Sequence, residues 1–134
     1  MSLKAGDQAP EIELFDQDGQ IRRSKDLKGK KLVLFFYPKD DSPGCTMQAC
    51  GFRDNYESFK RMGAEVWGVS ADDSTSHQLF SNKYKLNFPL LIDTENKLRK
   101  IFKVKSFLNI IPGRVSFIID EKGIIRKVFD NLLN

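Results

Sequence analysis

Two thiols, Cys45 and Cys50, are the most reactive side chains of this chain, and they stand five residues apart at the start of a predicted helix. Apolar residues recur at helical spacing over 45–62. At about 100° per residue, Cys45, Ala49, Phe52, Tyr56 and Phe59 share a stripe roughly 80° wide, the inward face of an amphipathic helix. Cys50 points about 140° away from Cys45, near the solvent side, with the two α-carbons roughly 8 to 9 Å apart. A disulfide needs them closer than about 7 Å, so the pair can bond only if the first helical turn unwinds. The spacing therefore describes a hinged redox pair rather than a rigid staple.

Cys45 also stands where a thiol should be acidic. Pro43 and Gly44 end the preceding loop, so Cys45 falls at the first residues of the helix, where unsatisfied N–H groups and the positive dipole end favour a thiolate. Full ionisation of an ordinary thiol gains only about 30-fold, or about 2 kcal/mol. Catalysis would also require donors at the developing charge, such as the Ser42 hydroxyl, helix N–H groups and a nearby cation.

The elements that position these residues can be read outward from the cysteines. Residues 32–37, LVLFFY, form an unbroken apolar run suited to a strand buried on both faces; Pro38 ends it and a polar loop, 39–44, leads to the helix. Before this lies a predicted hairpin with an Asp18-Gly19 turn. After it come a helix C-cap at Gly63, a strand over 64–70 and a helix over 76–84 with Leu79, Phe80 and Tyr84 inward. A strand over 89–93, a helix over 96–102, an apolar loop over 103–112 and two strands, 114–120 and 124–129, complete the chain. The apolar loop is expected to pack as a wall of the active site. Alternation of strands and helices predicts one α/β domain over 1–134, with a parallel core and an antiparallel edge.

Composition narrows the function classes. With 40% hydrophobic and 30% charged residues the chain belongs with soluble globular proteins rather than disordered or membrane ones. The net charge of +4 comes from scattered residues such as Arg22-Arg23 and Lys30-Lys31, read as solvated surface rather than a nucleic-acid patch. No apolar leader or membrane-length segment is visible. The expected location is cytoplasmic, or plastid if a transit peptide has been removed. Two cysteines are too few for a secreted scaffold, and with one histidine they do not supply a zinc ligand set; no metal or other cofactor is expected.

Pro38, Ser42 and Cys45, spaced P-x-x-x-S-x-x-C, resemble the active-site signature of the peroxiredoxins. The longer string FYPKDDSPGCTMQACGFRD resembles the peroxiredoxin Q (bacterioferritin comigratory protein) subfamily, and GDQAPEIEL, SADDSTSHQLF and PGRVSFIIDEKG extend the likeness over almost the whole chain. The resemblance implies a thioredoxin-like sandwich with a central mixed sheet, flanking helices and an extra N-terminal hairpin. It implies that Cys45 is the peroxidatic cysteine, Cys50 the resolving cysteine, and Arg114 the arginine that completes the site, while Pro38 shapes the loop. It further implies a monomer that reduces hydroperoxides and is regenerated by a thioredoxin or glutaredoxin-like reductant, with no nucleic acid or membrane partner. Ser42 stands where threonine is commoner, and the chain stops at Asn134, before the C-terminal helix the family usually carries.

Other classes stay in view. His77 as a base for Cys45 would make a cysteine hydrolase, but its polar surroundings near a predicted helix start read as a solvated residue or local cap. A redox sensor would oxidise once without cycling. A general disulfide oxidoreductase would be expected to carry C-x-x-C, which this chain lacks.

Overall fold

The computed structural model describes residues 3–27, 29–104, 106–107, 111–112 and 114–130, the short pieces 106–107 and 111–112 by their backbone alone. Its centre is β3 (Lys31–Phe36), whose residues from Leu32 onward are all buried, as a strand apolar on both faces should be. β3 runs parallel to β4 (Ala64–Ser70), which runs parallel to β5 (Leu90–Ile92). On its other side β3 pairs antiparallel with β8 (Val115–Ile119), and β8 with β9 (Ile125–Asp130). The order β5-β4-β3-β8-β9 gives the expected parallel core and antiparallel edge.

Alternation along β3 divides the core. Val33 and Phe35, followed by Tyr37, face a cluster that includes Cys45, Ala49, Val66, Phe80 and Phe88; Leu32, Leu34 and Phe36 face a second with Trp67, Leu98, Phe102 and Phe117. The first face is covered by α1 (Pro43–Asp54), α2 (Tyr56–Arg61) and α3 (Ser74–Tyr84). The second is covered by α4 (Lys97–Ile101) and by the N-terminal segment through Ile12 and Leu14. The predicted hairpin is present as β1 (Glu13–Phe15) and β2 (Ile21–Arg23), paired antiparallel. This is the thioredoxin-like arrangement the resemblance implied.

Three details differ from the sequence expectation. The single helix over 45–62 is two helices: Asn55 leaves helical geometry, and its side-chain amide donates to the Gly51 carbonyl at 2.9 Å, competing with the backbone ladder. On α3, Leu79 is exposed while His77 and Phe80 are buried. The stretch expected as a loop contains a two-stranded ribbon, β6 (Ser106–Phe107) with β7 (Ile111–Pro112). Whether that stretch packs over the site, like the region after residue 130, lies outside the described residues. Among the described residues no helix is long and apolar enough to cross a membrane.

Gly68 shows how tightly the sheet and helices meet. A Cβ there would lie 2.7 Å from Phe35 Cζ and 3.0 Å from Leu90 Cδ2, both in fully buried side chains. Gly68→Ala should therefore lower stability by about 1 to 3 kcal/mol, seen as an earlier urea midpoint with unchanged slope. A midpoint equal to that of the parent chain would contradict this packing.

Candidate active site

The site forms where β3 ends. A loop, 37–42, carries the chain from the strand to the first turn of α1, with Ser42 at the N-cap position and Pro43 at the first helical turn. Cys45 follows two residues later, in the turn whose N–H groups have no helical acceptor. It is only 2% exposed and packs with Tyr37, Phe35 and Ala49. The Ser42 hydroxyl does not cap the helix. It donates to the Lys39 carbonyl at 2.9 Å, so it braces the loop and its proton is already committed. Pro38 is half-buried at the loop's start.

Sheet register brings in Arg114. Phe36 pairs with Val115 in the antiparallel β3–β8 ladder, so the residue before Val115 lies level with the end of β3. From there Arg114 Nη1 donates to the Gly44 carbonyl at 3.2 Å, adjoining Cys45. A Cβ on Gly44 would stand 3.0 Å from that same Nη1 and 3.2 Å from Cζ. Glycine at 44 is thus what lets the guanidinium approach the helix start. The structure brings Cys45, Arg114, Ser42 and Pro38 to one end of the sheet.

Cys50 lies on the same helix but is half-buried, unlike the fully covered Cys45, and both are free thiols. Five residues of intact helix hold the α-carbons roughly 8 Å apart, beyond disulfide reach. In this conformation the two sulfurs are therefore separate.

A buried polar cluster holds the loop from behind. Asp40 Oδ1 accepts from the Tyr37 hydroxyl at 2.6 Å; Oδ2 accepts from the Ser76 hydroxyl at 2.8 Å and faces His77 Nδ1 at 2.7 Å. The Asp40 N–H donates to Asp72 Oδ2 at 2.7 Å. His77 is fully buried, which corrects its reading as a solvated residue or cap; Asp73 takes the cap role, accepting from Ser76 N at 2.9 Å. His77 Nε2 can only donate to the Leu91 carbonyl, at 2.8 Å. With a carboxylate at Nδ1, the ring is a doubly protonated imidazolium. Burial pushes its pKa down, but the Asp40 hydrogen bond and charge, with the Leu91 carbonyl, outweigh this and leave it raised. Asp40, Asp72 and His77 have ligand atoms within 4.8 Å of one another, yet an imidazolium with both protons engaged has no lone pair for a metal. Burial and Asp40 hold the Tyr37 phenol well above its usual range, so it remains a neutral donor.

A second buried cation lies at the same end. Arg99, only 4% exposed, donates from Nη2 to the Tyr37 carbonyl at 3.2 Å, and its guanidinium sits 5.7 Å from the Phe36 ring centroid. Burial lowers its pKa to about 10, against the charges of Asp93 and Cys45, so it is still cationic at neutral pH. Neither Asp40 nor Arg99 stood out in the sequence. Arg99 sits in Lys-Leu-Arg-Lys, which reads as surface charge, and Asp40 is one of two adjacent aspartates. The other, Asp41, is exposed and pairs with Lys83 at 2.8 Å. A signal for His77 did exist: helical spacing places it with Phe80 and Tyr84.

The imidazolium gives a signed prediction. A raised folded pKa means that the His77–Asp40 contribution is fully present below the unfolded value of about 6.5 and is lost as pH rises through the folded value. Urea midpoints measured against pH should fall over that window, and His77→Gln should lose the dependence and about 3 to 5 kcal/mol. A pH-independent midpoint in the parent chain would contradict the charged pair.

Comparison with known proteins agrees with this geometry. Residues 5–128 match the AhpC/TSA family. The chain is 50% identical over 130 residues to the chloroplastic peroxiredoxin Q of Suaeda salsa and 49% identical over 130 residues to that of Arabidopsis thaliana. In both cases 96% of this chain is covered, against 61% and 60% of the relatives, so the chain spans about three fifths of their length. Among solved structures, peroxidoxin BcpB of Mycobacterium tuberculosis superposes with TM-score 0.87 at 33% identity, covering 96% of this chain and 86% of that one. PrxQ of Xylella fastidiosa, solved as a cysteine-to-serine mutant, gives 0.89 at 29% identity, covering 97% and 87%. A cysteine at a helix start with an arginine on the adjoining carbonyl, on a thioredoxin-like sheet, thus recurs with a matching sequence: the chain belongs to the AhpC/TSA family, alongside its peroxiredoxin Q members.

Proposed function

We propose that the chain is a thiol-dependent peroxidase for hydrogen peroxide and organic hydroperoxides, serving antioxidant defence. The observation that carries this is Arg114 bonded to the Gly44 carbonyl beside Cys45, at the start of α1. The Cys45 thiolate attacks the distal peroxide oxygen. The O–O bond breaks, the departing oxygen leaves as alcohol or water after taking a proton, and Cys45 becomes a sulfenic acid. Arg114 and the free N–H groups of α1 stabilise the charge on that oxygen. Ser42, its proton held by Lys39, can meet a peroxide O–H as an acceptor.

The first turn of α1 then opens and the Cys50 thiolate attacks the Cys45 sulfur, releasing water and forming the Cys45–Cys50 disulfide. A thioredoxin-type dithiol returns both to thiols by exchange. No metal, flavin or haem takes part in any step. The relatives named as chloroplastic peroxiredoxin Q support the peroxidase reading, and they favour a plastid over a cytoplasmic location.

Two variants test the scheme. Cys50→Ser should still be oxidised once at the parent rate but should not turn over with thioredoxin; parent-like turnover would remove Cys50 from the cycle. Gly44→Ala, by displacing the guanidinium, should lower the peroxide rate about a hundredfold with the fold retained. An unchanged rate would detach Arg114 from the chemistry.

A further inference from the structure

We propose that Arg99 is a positioning residue for Cys45: its buried guanidinium fixes the end of β3 through the Tyr37 carbonyl and sets a second positive charge, besides Arg114, toward the thiolate. The inference rests on the reading of Cys45 as the reacting thiol. Arg99 belongs to α4, whose Leu98 and neighbouring Phe102 pack on the opposite face of the sheet from Cys45. Its side chain passes over the Phe36 ring and reaches the carbonyl of Tyr37, the residue on which the loop to Cys45 begins. Arginine suits this place because its planar head can lie on an aromatic face and donate to an oxygen at the same time.

The charge of a cation this buried must be balanced nearby. Two negative groups act on Arg99: the Asp93 carboxylate and the ionised Cys45 thiol. Asp93 is itself 1% exposed, and its oxygens already accept the backbone N–H groups of Leu98 at 2.7 Å and Arg99 at 3.0 Å. Asp93 thus starts α4 and places Arg99, while the thiolate gains from the same cation. Oxidation of Cys45 to a neutral sulfenic acid removes one of these anions, so the two ends of the sheet layer are electrostatically linked. The other ionisable groups on this side are Arg114 at the head of β8, Tyr37 at the end of β3, the Asp40–His77 pair between loop and α3, Asp72 behind that pair, and Asp41 with Lys83 at the rim.

The test is the pH profile of Cys45 alkylation by iodoacetamide, read on the Cys45 peptide by mass spectrometry, together with its oxidation by hydrogen peroxide. In Arg99→Gln and in Arg99→Met, which keeps the contact with Phe36, the alkylation midpoint should rise by about one pH unit. The peroxide rate at pH 6 should fall about tenfold yet come within about twofold of the parent above the new midpoint. Arg99→Lys should restore most of the shift. A midpoint unchanged in all three variants, or a rate lowered equally at every pH, would mean that Arg99 acts through packing alone and would overturn the proposal. Because alkylation needs no turnover, a parent chain that reduces no peroxide but whose midpoint moves with Arg99 would sink the peroxidase reading and support this one.

Discussion

The Asp40 carboxylate, buried in the turn between β3 and α1, accepts from Tyr37 and Ser76 and faces an imidazolium that is itself bonded to β5. Everything at the active end of the sheet depends on that arrangement. It joins the last residue of the central run, the active-site loop, α3 and β5 in one hydrogen-bonded unit. Buried ion pairs seldom add net stability over an apolar core, but removing one partner is costly. The pair therefore specifies where the loop runs more than how stable the domain is. Asp41, one residue on, makes the contrast: its exposed pair with Lys83 contributes at most about 1 kcal/mol, and it takes the left-handed turn, with φ of 62°, that lets Asp40 point inward.

With the loop held, the chemistry follows from three geometrical facts. The parallel strand β3 delivers α1 with its N–H groups at the sheet's C-terminal edge. Antiparallel β8 begins at the same edge, so its leading arginine needs no long reach. The glycine at 44 leaves a gap the width of a guanidinium. Helix dipole and cation thus act on Cys45 from different elements, and burial, at 2% exposure, removes the water that would screen them. The same burial keeps the thiols apart until the first turn of α1 opens, which couples disulfide formation to a local unfolding step rather than to a rigid contact.

Much of this was legible in the sequence where the pattern was periodic. The apolar run of β3, the stripe from Cys45 to Phe59 and the strand at 64–70 carry their own burial signals, and P-x-x-x-S-x-x-C carried the family. What was not legible was polar and buried. Asp40, His77 and Arg99 look like surface residues because hydrophobicity cannot distinguish a solvated charge from one whose partners arrive from 37 to 62 residues away. The break at Asn55 was missed for a related reason, since a side chain competing for a carbonyl is invisible to a period of 3.6. Leu79 shows the reverse error: an apolar residue placed inward that the α3 register leaves outside.

The central claim is that Cys45 is preorganised for peroxide and is more than an acidic thiol. The direct measurement is the second-order rate constant for its oxidation by hydrogen peroxide, obtained by rapid quench with mass-spectrometric detection, against the rate of free cysteine thiolate. Trp67 fluorescence is a poor reporter here, because that side chain lies on the opposite face of the sheet. A rate orders of magnitude above free thiolate is the predicted result. Equal rates would contradict the account and leave Cys45 an ordinary thiol at a helix start.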